Sequence, residues 1–324
     1  MTTRRHLLTA LATLPLAPQL FASDKAYPNR AIKMVVPFAA GGGTDIVARL
    51  IATEAAKHLG EAVVVDNRGG AGGSLGSDVV AKSAADGYSI LMATVSTHAI
   101  NAALYPKLPY DPIKSFVPVS LVARVGGIVV VNSKSPIKSL RELAEAMRRE
   151  PEKYSFGSQG VGGIGHLMGE MFNDQAGVKA AHVPYRGAAP ALQDLIAGNI
   201  QVINDTVPAL LPHIQAGTLR ALAVTTSKRL PSVPEVPTTA EAGYPGFLAT
   251  TWNAVVAPAG TPAAVVDTLN RAIVAAVKDP AVSQRMNELS AEPVGSSAAE
   301  LGAFMQAELK RWAPIVKASG ATAS

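Results

Sequence analysis

IKMVVPFAAGGGTDIVARL, spanning Ile32 to Leu50, reads as a strand, a glycine-rich turn and a helix. Ile32 to Val36 is a short apolar run of the kind that forms a buried strand. Pro37, Phe38, two alanines and three glycines interrupt it. From Thr44 onward Ile46, Val47, Leu50 and Ile51 recur at helical spacing and supply one apolar face. In α/β proteins such a turn offers backbone N–H groups to an anion. The first helical turn has donors without intrahelical partners, and the aligned peptide dipoles place partial positive charge there. The expectation is a turn that holds a carboxylate, faced across a cleft by a second glycine turn at 157–165.

The alternation continues on both sides of this unit. Strand patterns at 62–65 and 88–93 flank a helix near 74–82, with a glycine-rich loop at 67–73. Strands separated by helices predict a parallel sheet covered on both faces, with ligands beyond the carboxyl ends of the strands. Residues 116–123 are extended and contain Pro118, so they are expected at an edge or in a crossing. A second alternating unit follows, with strands near 128–131, 154–156, 181–183 and 201–203. Its helices are expected after the Ser139/Glu142 capping box and at 164–175, 189–197 and 207–216. A strand at 219–224 returns toward the first unit, and proline-rich 232–245 reads as a surface loop. A strand is expected at 252–257, then a helix with Thr261 as N-cap and Pro262 at N1. A second capping box, Ser297/Glu300, opens the last helix. The division is 23–123 with 226–324 as one domain and 124–225 as the other, a two-lobed hinge with a cleft between.

Composition limits the functional classes. The 324 residues exceed one ordinary core, and 48% hydrophobic with 16% charged residues describe a globular chain. There is no cysteine, hence no disulfide framework and no thiolate ligand or nucleophile. Residues 1–22 carry Arg4 and Arg5, an apolar run broken by Pro15 and Pro18, and then small residues. That is the order of a secretory signal, and its Arg-Arg pair also fits twin-arginine export. Removal of that segment leaves 27 basic against 24 acidic residues, a charge of +3, with no basic stripe interleaved with aromatics to suggest nucleic acid.

Two short motifs fail on context. Gly72-Gly-Ser74-Leu-Gly76 has the letters of a nucleophile elbow, but seven residues separate it from the preceding strand. Ser74 is better read as a helix N-cap. Gly160-Val-Gly162-Gly-Ile-Gly165 has the letters of a dinucleotide turn, but the segment from Ala181 to Arg186 lacks the expected acid. The six histidines show no metal-ligand spacing, and no catalytic residue, metal or cofactor is expected. His166, early in the helix after the glycine run, is the one histidine placed to reach a ligand. Asp45 reads as a complement to the helix dipole, Arg186 as a partner for an acid or a solvated side chain, and Asn204, Asp205 and Thr206 as strand-end polar groups.

PFAAGGGTD (37–45), NRGGAGG (67–73), DGY (86–88), GSQGVGGIGH (157–166), PYRGAAPALQDLIAGNI (184–200) and PEVPTTAEAGYPGF (234–247) together resemble the solute receptors of tripartite tricarboxylate transporters, the Bug family. The resemblance spans nearly the whole chain after the signal. It implies a periplasmic, two-domain type II binding-protein fold, a monomer that closes on a small mono- or dicarboxylic acid and delivers it to membrane permease subunits without catalysis. It further implies that backbone N–H groups of two facing loops and ordered waters grip the carboxylate. By position these are Phe38, Ala40, Gly41 and Thr44 in one lobe and Ser158, Gly160, Gly162 and Gly163 in the other, with Ser96, Tyr185 and Asp205 lining the site. The competing readings are a periplasmic sensor that docks a signalling partner and a secreted hydrolase built on Ser74.

Overall fold

The computed structural model describes residues 27–322, so the signal reading at 1–22 lies outside the described residues. β1 (Ile32–Val36) sits between β2 (Val63–Asn67) and β3 (Ser89–Thr94), parallel to both. Ile32, Met34, Val35 and Val36 are buried, as a two-sided strand requires. α1 (Gly43–Leu59) and α2 (Ser74–Ala81) make the crossovers. α1 stops at Gly60, whose φ of 73° is the left-handed conformation that a C-terminal glycine supplies. A helical segment from Ser96, ending as α3 (Asn101–Leu104), follows β3.

β4 (Phe116–Asn132) is the long element of the molecule, 17 residues in one strand. From Phe116 to Gly126 it pairs antiparallel with β9 (Thr250–Pro258), which also pairs with β3. From Gly127 onward it lies between β7 (Val202–Thr206) and β8 (Leu219–Val224). One strand therefore serves two sheets. The second sheet continues through β5 (Ser155–Ser158) and β6 (Ala181–Pro184), both parallel to β7's direction. Its helices are α4 (Leu140–Arg149), α5 (Ile164–Ala176), α6 (Ala188–Ala197) and α7 (Val207–Gln215). α8 (Ala263–Lys278), α9 (Pro280–Glu288), β10 (Ala291–Pro293) and α10 (Ala298–Ala318) complete the first lobe. Among the described residues, no helix is long and apolar enough to cross a membrane.

Several local expectations change. The extended segment with Pro118 does not end near 123. Pro118 is tolerated because β4 has only β9 as a strand neighbour there and its register shifts just after it. Thr261 is not the N-cap of α8. Pro262 takes that position, and the Thr261 hydroxyl donates instead to the Pro258 carbonyl at 2.8 Å. Ser74 is not the cap of α2 either. Gly73 is, in a left-handed conformation, and Ser74 is the first helical residue. The Ser297/Glu300 capping box forms in full. At Ser139 only half forms, since Glu142 reaches back to the Lys138 amide at 2.7 Å.

α10 is fixed to the first lobe by a buried carboxylate. Glu308 Oε2 accepts the indole N–H of Trp252 at 3.0 Å and of Trp312 at 2.9 Å, while Arg311 pairs with Oε1 at 3.1 Å. Glu308→Ala would leave two buried indole donors without an acceptor. The expected loss is about 2–4 kcal/mol in equilibrium denaturation. Glu308→Gln, which keeps an oxygen there, should lose much less. Equal losses would mean that the carboxylate is not what anchors α10.

Candidate functional site

One small cavity collects residues from both lobes. Phe38, Gly42, Gly43 and Thr44 come from the β1–α1 turn, Thr94 and Ser96 from the end of β3, and Thr251 from β9. Facing them are Gln159 and Ile164 from the β5–α5 turn, Ala188 from the start of α6, and Asp205 and Thr206 from the end of β7. Its volume is about 20 Å³, room for roughly one water.

Four helices begin at this cavity. Gly42 caps α1, Ile164 opens α5, Ala188 opens α6 and Thr206 caps α7. The positive ends of four helix dipoles thus point at one place, with first-turn amides such as those of Gly43 and Thr44 that have no intrahelical acceptor. Among the described residues lining it, none is Lys, Arg or His, and Asp205 is the one ionisable side chain. No group of three or more His, Asp or Glu among the described residues is arranged to hold a metal.

The lobes touch around this point. The Ile164 amide donates to Ser96 Oγ at 3.0 Å, the Tyr105 hydroxyl donates to the Val161 carbonyl at 2.9 Å, and the Ala39 amide donates to the Arg186 carbonyl at 3.3 Å. Glycine permits the approach at Gly43, where a Cβ would run into Thr206 Oγ1, and at Gly72, where it would run into the Val161 carbonyl.

Of the residues named from the sequence, Phe38, Thr44, Ser96 and Asp205 line the cavity. The others lie around it. Ala40 and Gly41 are exposed, and the Gly41 amide already donates to Asp45 Oδ2 at 2.9 Å. The Gly160 amide donates to Ser158 Oγ at 3.1 Å, that of Gly162 to His166 Nδ1 at 3.3 Å, and that of Gly163 to the Gly160 carbonyl at 2.9 Å. The expected anion nest of the second loop is therefore occupied by the loop's own acceptors. Tyr185 turns away and donates to Asp194 Oδ2 at 2.6 Å. Arg186 is exposed, and its carbonyl rather than its guanidinium reaches the other lobe. Ser74 is buried and accepts a hydrogen bond from Asn101 Nδ2 at 3.0 Å. Thr206, named with Asp205 as a strand-end polar group, lines it too, while Gly42, Gly43, Thr94, Gln159, Ile164, Ala188 and Thr251 join it from outside the residues named. Thr94 had a usable signal, the carboxyl end of a parallel strand. Thr251 had none.

The histidines support the second loop from behind. His166 and His182 stack at 4.0 Å between ring centroids, Phe156 continues the stack at 4.9 Å, and His182 Nε2 shares a hydrogen bond with Ser158 Oγ at 2.7 Å. Burial pushes His166 down to about 4, and burial together with the His166 charge pushes His182 down to about 3. Asp45 is also buried, which by itself would raise its pKa. Hydrogen bonds from Arg49, Gly41 and Asn67 outweigh that and hold it below the ordinary value. Asp205 goes the other way, pushed up to about 6 by burial against the opposing bonds from Thr206.

Comparison with known proteins finds relatives along nearly the whole described chain. The family described as Tripartite tricarboxylate transporter family receptor matches residues 47–321. Protein BugT of Bordetella pertussis is 40% identical over 300 residues, 92% of each chain. The structure of Rpa4515 from R. palustris with adipate superposes with a TM-score of 0.88 at 39% identity, over 91% of this chain and 99% of that one. MatC (Rpa3494) from Rhodopseudomonas palustris with bound malate gives 0.86 at 35% identity, over 90% and 100%.

The imidazoles set a pH dependence. His98, fully buried, is pushed down to about 3 as well. An unfolded chain protonates these rings below pH 6.5, whereas the folded chain resists until about 4 and 3. The unfolded state then binds more protons, so stability present above pH 6.5 is lost as pH falls. Asp205 has the opposite sign, contributing stability below its unfolded value of 3.8 that is lost as pH rises through about 6. Glu170, also raised by burial, acts in the same sense as Asp205, and three rings against these two carboxyls still give a net fall in the denaturation midpoint from pH 6.5 to 4. His182→Gln, which can still pair with Ser158, should flatten that slope. An unchanged slope would exclude His182 as a source.

Proposed function

The chain belongs to the tripartite tricarboxylate transporter receptor family, and from that premise we propose that it is a non-catalytic periplasmic receptor that captures a small carboxylic acid between its lobes and hands it to a membrane permease. The observation that carries the ligand class is the convergence of four helix N-termini on a cavity lined by no cationic side chain. Such a site attracts an anion through amides and dipoles rather than through a counter-ion. The malate and adipate in two relatives support the same class. The amides at the starts of α1, α6 and α7 are the donors in this reading, since those of Gly160, Gly162 and Gly163 are already engaged. The receptor acts as a monomer, exported by its first 22 residues.

Capture proceeds by closure about the two connections between the lobes, β4 and the bend after β8, along the division at 123/124 and 225/226. A ligand that touches both lobes favours the closed form, and only that differential affinity shifts the population. The hydroxyl of Ser74 is bonded to Asn101 rather than to a histidine, which weighs against a hydrolase built on it.

Two outcomes test this reading. In a thermal-shift series, one or a few small carboxylic acids should raise the midpoint and their amides should not, because ligand at 100 times its dissociation constant adds roughly 2.7 kcal/mol. No response to any acid, before or after refolding from denaturant, would overturn it. Closure is read separately. Gly43→Val places a side chain against Thr206 and should hold the lobes apart, leaving thermal stability near wild type while ligand no longer shrinks the radius of gyration in solution scattering. Tyr105→Phe, which removes one bond across the cleft, should weaken affinity by about two- to tenfold. Wild-type affinity and compaction in both variants would place closure elsewhere.

A further inference from the structure

Asp205 is an anomaly in a site that collects positive potential. It ends β7 at the cavity and is 3% exposed. Its Oδ1 accepts the Thr206 amide at 2.6 Å and the Thr206 hydroxyl at 3.2 Å, which complements the start of α7. Its Oδ2 has no hydrogen-bond partner among the described residues. Thr94, also 3% exposed and lining the same cavity, has a hydroxyl that is buried without a partner. Buried polar atoms are ordinarily satisfied, so the sealed Thr94 hydroxyl calls for a reason, while Asp205 Oδ2 is reachable from the cavity.

Charge supplies that reason. A bound carboxylate placed near the Asp205 carboxylate would be repelled unless a proton or a cation lies between them. Among the described residues, no Lys, Arg or His lines the cavity to provide one. The ligand is left as the source. Resting on the carboxylate-receptor reading above, we propose that the ligand carries a hydrogen-bond donor beside its carboxylate, the hydroxyl of a hydroxy acid or the ammonium of an amino acid, and that Asp205 Oδ2 accepts it. The Thr94 hydroxyl is the second group available to that donor. The helix N-termini then hold the ligand's carboxylate, while Asp205 reads the substituent. Asp205 is on this view a specificity residue: it admits donor-bearing acids and discriminates against plain ones.

Matched ligands test the idea by titration calorimetry at near-neutral pH. Suitable sets are succinate, malate and aspartate; adipate, hydroxyadipate and aminoadipate; phenylpropionate, phenyllactate and phenylalanine. In whichever set binds, a donor-bearing member should bind at least about tenfold tighter than the donor-free one, the scale of a charge-assisted hydrogen bond. The hydroxy and amino arms separate the two donor chemistries. Asp205→Asn keeps an oxygen for Thr206 and turns the other atom into a donor. It should abolish or reverse the preference, with the donor-free acid binding tighter than to wild type because the repulsion from the Asp205 carboxylate is gone. Equal affinities within every binding set of the wild-type protein would overturn the proposal without any variant. So would a preference that survives in Asp205→Asn. Tighter binding of donor-free acids to wild type, with affinity lost as pH rises through 6, would overturn it too and make Asp205 a protonated donor. If no acid in any set binds, the receptor reading itself fails, which is a different result. Should Asp205→Asn not fold, Thr94→Val supplies the second variant. It should reduce the preference, and an unchanged wild-type ratio would remove Thr94 from the account.

Discussion

A single strand holds this molecule together. β4 gives its first part to one sheet and its last part to another, changing partners at Gly126–Gly127. The change crowds the backbone. A Cβ at Gly126 would meet Leu230 and Thr226, and one at Gly127 would meet Thr225 and Met168. Thr225, fully buried, closes the junction: its amide donates to the Gly127 carbonyl at 2.9 Å, its hydroxyl to the Ala249 carbonyl, and its own carbonyl accepts the Ala249 amide at 3.1 Å. Neither sheet can shift along β4 without breaking register with the other.

That constraint explains why the site has the character it has. Parallel strands on both sides of the junction point their carboxyl ends at the same gap, so the helices that follow them start there. Each terminus contributes up to about 2 kcal/mol toward an anion when partly buried, against about 1.5–3 kcal/mol for one hydrogen bond to a charged group. Even with the start of α7 already complemented by Asp205, the remaining termini together exceed one such hydrogen bond without a side chain's desolvation cost. They also leave the attraction divided between lobes, with α1 on one side and α5, α6 and α7 on the other. An anion gains the whole of it only when both sides are near.

The sequence made the scaffold legible because its signals are local. The β1 strand, the glycine turn and α1 follow from apolar spacing over nineteen residues, and the Ser297/Glu300 cap from one four-residue pattern. The long β4 was harder to see, since Pro118 marks an edge that holds for only part of the strand. At the site, the first loop borders the cavity, and its glycines have different surroundings there. Gly41 is a conformational glycine with φ of 81° and an Ala189 Cβ no nearer than 3.9 Å, whereas Gly43 is the residue pressed against the other lobe. Spacing gives the turn, yet cannot say which amide is taken by Asp45. Thr251 and Thr94 reach the cavity from distant strands, and that encounter is a property of the sheet order rather than of any motif.

The second glycine loop shows where rigidity and reactivity part. Its amides are satisfied by Ser158, His166 and its own carbonyls, and the imidazole stack of His166 and His182 backs it. A loop ordered in this way loses little conformational entropy when a ligand arrives, so more of each contact appears as affinity. The buried imidazoles resist protonation down to about 4 and 3, which keeps the support neutral across the ordinary pH range. Asp205 is the contrast. It is as buried as His166 but lacks a complete set of partners, and burial lifts its pKa to about 6. Among the described residues, two loose polar ends persist at the site, Asp205 Oδ2 and the Thr94 hydroxyl, and both belong to residues lining the cavity where a ligand would complete them.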